Sequence, residues 1–70
     1  MATSVRGHIT GTVWKIEVAV GDAVSEGQTL VILESMKMEI PVEAPGAGTV
    51  SAILVKEGAS VEEGAVLVEL

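Results

Sequence analysis

The chain has 70 residues, ten Asp and Glu against four Lys and Arg, a net charge of −6 and no cysteine. That leaves room for one domain, residues 1–70, and excludes disulfide stapling and thiolate metal sites. So acidic a balance argues against nucleic acid and anionic membranes, and no apolar run reaches the ~20 residues of a transmembrane helix.

The start, MATSVRGH, lacks the apolar stretch of a signal peptide, so a cytoplasmic protein is expected. Apolar residues make up 49 % of the chain, dominated by Val, Ile, Leu and Ala, with Trp14 the sole aromatic. β-branched residues favour strands, so the expected class is all-β. No segment carries a helical period.

The first element is a strand over 13–18, Val-Trp-Lys-Ile-Glu-Val. Its alternation places Trp14, Ile16 and Val18 on one face and Lys15 and Glu17 on the other. Trp14 is therefore expected as an inner-face packing residue. A glycine-bounded loop, 21–27, follows, with Val24 expected to plug the core beneath it. A second strand covers 29–33.

The chain then repeats itself at an offset of 37 residues. Gly11-Thr12-Val13 falls on Gly48-Thr49-Val50, Ile16 on Ile53, Gly21 on Gly58, Val24 on Val61, Gly27 on Gly64, and Leu30-Val31 on Leu67-Val68. Roughly two in five positions agree, which marks an internal duplication. The second copy supplies a strand over 50–55, a loop over 58–64 and a strand over 66–70. Neither half has the apolar area to stand alone. Two copies of one β unit predict two sheets packed face to face about a pseudo-two-fold axis.

The junction of the copies reads Glu34-Ser35-Met36-Lys37-Met38-Glu39-Ile40. Strands over 31–35 and 38–42 with two residues between them form a tight hairpin pattern. Lys37 should stand at its tip, with the chain termini at the symmetry-related end. Met-Lys replaces the Asn-Gly or Asp-Gly such a turn prefers, so the turn is expected to be strained. A local rule broken at one place points to function there. Lys37 is not a good catalytic base: its neighbours are the carboxylates Glu34 and Glu39, which favour the charged amine. His8 has no second His or Cys with which to bind a metal. A lysine on a rigid tip is instead suited to acylation by another protein.

The run ESMKM, followed by Ile40-Pro41-Val42-Glu43-Ala44-Pro45 and Gly48-Thr49-Val50, resembles the biotinyl domains of biotin-dependent carboxylases. The resemblance extends from Val5 to Leu70 and includes both glycine-bounded loops. Ser35 departs from the commoner Ala, and the halves align at a constant offset with no inserted thumb in the first. Related lipoyl domains usually show Asp-Lys-Ala at the turn.

The resemblance implies a flattened antiparallel β-sandwich, a barrel-sandwich hybrid of two four-stranded sheets, with the modified lysine on a hairpin. It implies a biotin carboxyl carrier, not an enzyme in its own right. Biotin would be attached covalently to Lys37, with Met36 and Met38 flanking it as recognition contacts and Glu34 and Ser35 completing the motif. His8 is expected as a surface residue. The implied partners are a biotin protein ligase, a biotin carboxylase and a carboxyltransferase, and the isolated domain is expected to be a monomer. A lipoyl carrier of a dehydrogenase-type complex and a non-acylated binding module are the alternative readings. The carboxyl acceptor is not encoded in these residues.

Overall fold

A computed structural model describes residues 3–70. Nine strands follow one another: β1 (Ser4–Arg6), β2 (Gly11–Ile16), β3 (Ala23–Val24), β4 (Thr29–Ser35), β5 (Met38–Glu43), β6 (Gly48–Thr49), β7 (Ala52–Ile53), β8 (Ser60–Val61) and β9 (Val66–Glu69). All pairings are antiparallel. One sheet has four strands in the order β5-β4-β2-β8, and the rest form a three-stranded ladder, β1-β9-β7, and a two-stranded one, β3-β6.

The 37-residue repeat organises this arrangement. Moving β5-β4-β2-β8 by one repeat gives β1, β9, the split strand β6–β7, and β3. The second four-stranded sheet is therefore present, but as two ladders joined through residues 48–53. The expected uninterrupted strand over 50–55 is not formed. The break falls at residues 50 and 51, where Val50 turns its backbone hydrogen bonds to the loop at Gly21 and Asp22 while Ser51 N–H and the Ala52 rung both meet Glu69 of β9.

The two copies close each other. Gly21 N–H donates to Val50 C=O at 2.8 Å and Val50 N–H donates to Asp22 C=O at 2.9 Å. Their repeat counterparts do the same: Gly58 N–H to Val13 C=O at 2.7 Å and Val13 N–H to Ala59 C=O at 2.8 Å. Each loop thus satisfies the strand of the other copy, and neither half could meet its backbone hydrogen bonds alone. Each loop begins with a four-residue turn, closed by Asp22 N–H on Ala19 C=O and by Ala59 N–H on Lys56 C=O. Gly21 (φ 97°) and Gly58 (φ 89°) take the third position, where a positive φ excludes most side chains.

The core is built from repeat pairs: Val5 with Val42, Val13 with Val50, Val24 with Val61, Leu30 with Leu67, and Val31 with Val68, all buried. Val24 and Val61 do plug the core under their loops. Leu30, Leu33 and Leu67 are fully enclosed.

Trp14 is a correction to the sequence reading. It is 46 % exposed, and the core next to it is filled by Val13. In the β2–β4 register Val13 faces Leu33 and Lys15 faces Ile32, which leaves Trp14 as the extra residue of a β-bulge. The bulge shifts the alternation by one. Val13 and Val18 turn inward, and Trp14 and Lys15 both turn out. The same bulge recurs in the second copy, where Ser51 N–H donates to Glu69 C=O at 2.8 Å and Ala52 also faces Glu69.

The symmetry also places Thr3 and Leu70. Leu33 pairs with Ile40 in the third rung from the β4–β5 turn. One repeat away, Leu70 and Thr3 exchange backbone hydrogen bonds at 2.8 and 2.9 Å. Thr3 and Leu70 therefore occupy the place that Ile40 and Leu33 of the hairpin occupy in the other half.

Candidate functional site

The β4–β5 hairpin is the longest paired element in the molecule, running from Thr29 opposite Glu43 to Ser35 opposite Met38. Two residues, Met36 and Lys37, connect the strands. Both have positive φ, 53° for Met36 and 64° for Lys37, and among the described residues they are the only non-glycines that do. Two successive left-handed residues make a type I′ turn, whose twist suits the strands it joins. The left-handed region costs an ordinary side chain about 1–2 kcal/mol per residue. The strain expected from Met-Lys in place of Asn-Gly is thus present. Six rungs of hairpin, anchored on the buried Val31, Leu33 and Val42, hold the turn in this shape.

Every sequence-predicted site residue lies on this hairpin. Lys37 is exposed at the tip, and the one ion pair among the described residues joins Lys15 to Glu17, away from it. Met36 is 88 % exposed and Met38 57 % exposed. Ser35 is half-buried and pairs with Met38, on the side of the hairpin that leads down to Leu33 and Ile40. Glu34 and Glu39 project from the other side, exposed and directly opposite each other. Like charges facing across an antiparallel pair oppose each other, so this rung is held by its neighbours rather than by its own side chains.

Gly11 is a site residue that the sequence reading passed over as one more repeated glycine. It begins β2 beside the hairpin, and a Cβ added there would lie 2.6 Å from the carbonyl oxygen of Glu34 and 3.5 Å from the Cβ of Ser35. The backbones of β2 and β4 approach too closely for any side chain at this point. The available signal was a glycine at the start of a strand rather than in a loop.

A shallow groove lined by Ser4, Val5, Arg6, His8, Glu43 and Pro45 takes no residue from the hairpin tip. Among the described residues no cluster of His, Cys, Asp or Glu could hold a metal ion. The site's chemistry therefore reduces to one primary amine displayed from a defined turn between two exposed thioethers. That geometry suits a nucleophile used by another protein's active site, because among the described residues no ion pair or side-chain hydrogen bond reaches the amine to activate it.

Comparison with known proteins bears on that geometry directly. The biotin/lipoyl family model, described as "Biotin-requiring enzyme", matches residues 2–70.

The chain belongs to the biotin/lipoyl attachment family.

Among members of that family, the chain is 50 % identical over 63 residues to the biotin/lipoyl attachment protein of Bacillus subtilis (strain 168), an alignment covering 90 % of this chain and 86 % of that one. It is 51 % identical over 63 residues to the biotin carboxyl carrier protein of Streptococcus mutans, covering 90 % of this chain and 48 % of the relative. The chain thus spans most of one relative and about half of the other. In three dimensions this family member superposes on the crystal structure of Kluyveromyces lactis urea carboxylase with a TM-score of 0.95 and 38 % identity. All of this chain takes part in that match, and 6 % of the urea carboxylase.

Proposed function

We propose that the protein is a biotin carboxyl carrier and that biotin is held in amide linkage to the Nζ of Lys37. The observation that carries this reading is the exposed lysine at the second central position of a left-handed two-residue turn, between two exposed methionines. The family match and the relatives named as biotin carboxyl carrier and biotin/lipoyl attachment proteins support it.

The residues fit the group. The amine is exposed, and no side chain of the hairpin closes over it. When bound, biotin supplies a ureido nitrogen that accepts and releases a carboxyl group. The chain's own part is to present that group. The stiff hairpin fixes the direction of the arm, and the lysine methylenes give it reach. Attachment removes the Lys37 charge, which takes the net charge from −6 to one unit more negative. Tethering replaces a bimolecular encounter by a local one at high effective concentration.

The implied partners follow from this role. A biotin protein ligase would take hold of the hairpin, with Met36 and Met38 as apolar contacts and Glu34 and Ser35 beside them. Biotin carboxylase and carboxyltransferase would then meet the loaded arm in turn. Relatives named as carboxylases support the last two. The domain would act as a monomer between them.

The test is the intact mass after incubation with a biotin protein ligase, ATP and biotin, followed by peptide mapping. The expected result is one biotinyl group, on Lys37. A folded protein that gains no biotin but is lipoylated on Lys37 by a lipoyl ligase would replace this reading with the lipoyl one.

A further inference from the structure

Sulfur is concentrated at one place in this protein. The chain has no cysteine and three methionines. Met1 lies outside the described residues, and the other two are the neighbours of Lys37. Neither belongs to the core, which is built from Val, Leu and Ala. Both are open to solvent, Met36 at 88 % and Met38 at 57 %. Apolar side chains at such exposure carry no folding role, and Met36 further burdens the turn by its left-handed backbone. The role left open to a thioether there is contact with the partner that acts on Lys37.

We propose that Met36 and Met38 are a peroxide-sensitive modification site that governs acylation of Lys37. The proposal rests on the reading of Lys37 as the biotinylated amine. The oxidant is a hydroperoxide. A lone pair on the thioether sulfur attacks one peroxide oxygen, the O–O bond breaks, the proton on the transferred oxygen passes to the departing oxygen, and an S=O bond forms with release of water from hydrogen peroxide or of the alcohol from an alkyl hydroperoxide. Sulfur is oxidised by two electrons and the peroxide is reduced by two. With hydrogen peroxide no other reactant is required.

The consequence is local. Sulfoxide formation leaves the lysine, its charge and the packed interior untouched, because no core contact involves either methionine. The new oxygen is a strong acceptor where a partner offers an apolar cover. Burying an acceptor without a donor weakens recognition by about ten-fold. The more open Met36 reacts before Met38. Methionine sulfoxide reductases of both epimer specificities reverse the change.

The experiment uses the full chain. The protein is treated with hydrogen peroxide, oxidation at Met36 and Met38 is assigned by peptide mapping, and kcat/KM for biotin transfer is measured with a biotin protein ligase. The doubly oxidised form should be slowed about ten-fold or more, with its thermal midpoint unchanged and its rate restored by the two reductases. The Met36→Leu/Met38→Leu variant, compared with its own untreated rate, should not respond to peroxide. Two results would overturn the proposal and leave the carrier reading standing. One is transfer to the doubly oxidised protein at the untreated rate, and the other is an equal loss in the leucine variant. An untreated, folded protein that accepts no biotin overturns the carrier reading, and this proposal with it.

Discussion

Gly11 and Glu34 meet backbone to backbone: a Cβ on Gly11 would lie 2.6 Å from the Glu34 carbonyl oxygen. Its repeat counterpart Gly48 faces only the side chain of Leu70, with an added Cβ at 3.4 Å from the Leu70 Cβ. One duplicated glycine thus supports the hairpin and the other does not. Gly11→Ala must push β4 away and is expected to cost about 1–3 kcal/mol, whereas Gly48→Ala should stay within about 1 kcal/mol of wild type. Thermal unfolding of the two variants side by side decides it, and equal midpoints would remove the special role of Gly11. In Gly11→Ala the hairpin is also displaced, so biotin transfer should fall while Gly48→Ala transfers normally.

The two left-handed residues of the turn predict a trade between stability and recognition. Met36→Asn introduces a residue that tolerates positive φ, and it should raise stability by about 1 kcal/mol. It also removes a thioether contact, so ligase kcat/KM should drop. Chemical denaturation and steady-state biotinylation read the two effects separately. A variant that gains stability and keeps its full rate would show that Met36 is not a contact.

Lys37→Arg keeps a long cationic side chain on an exposed tip and should leave the unfolding midpoint unchanged. The guanidinium stays protonated and is no acyl acceptor, so biotin attachment should be abolished. Mass spectrometry after ligase treatment is the readout, and unfolding of this variant would contradict the exposed tip.

Leu30 and Leu67 are repeat counterparts, both fully buried. Either one replaced by Ala should cost about 2–5 kcal/mol, a large fraction of what so small a domain has. Because the two sites are related by the pseudo-two-fold axis, the losses should agree within about 1 kcal/mol. Urea midpoints test this, and a gap several times larger would mean that the two sheets are not energetically equivalent.

Trp14→Ser installs the residue found at the equivalent place in the second copy, Ser51. With Trp14 half out of the core, the change should cost less than about 1 kcal/mol, well under the 3–5 kcal/mol of a buried tryptophan. Equilibrium denaturation followed by circular dichroism measures it in the absence of the indole.

The all-β class, the duplication and the loop glycines could be read directly from the residues. Repetition at an offset of 37 needs no knowledge of neighbours, and a positive-φ glycine between two strands names its turn locally. The hairpin at Met36-Lys37 was legible for the same reason, since two alternating runs with two residues between them leave few other pairings. The exposure of both methionines followed from their adjacency to a turn. What was not legible was the face of Trp14. Alternation assumes an unbroken strand, and the bulge that breaks it exists only because β4 holds Val13 against Leu33 and Lys15 against Ile32.

By itself, then, the sequence determined the class, the two-fold plan and the one lysine set apart from the rest, because these are written in short-range period and repetition. The tertiary structure alone decided which way β2 faces after Val13, that Gly11 must have no side chain, and that each copy is completed by the other's loops. Those features arise from strands distant in the chain being hydrogen-bonded in one register. Backbone spacing between neighbouring strands, rather than any local preference, sets what fits there.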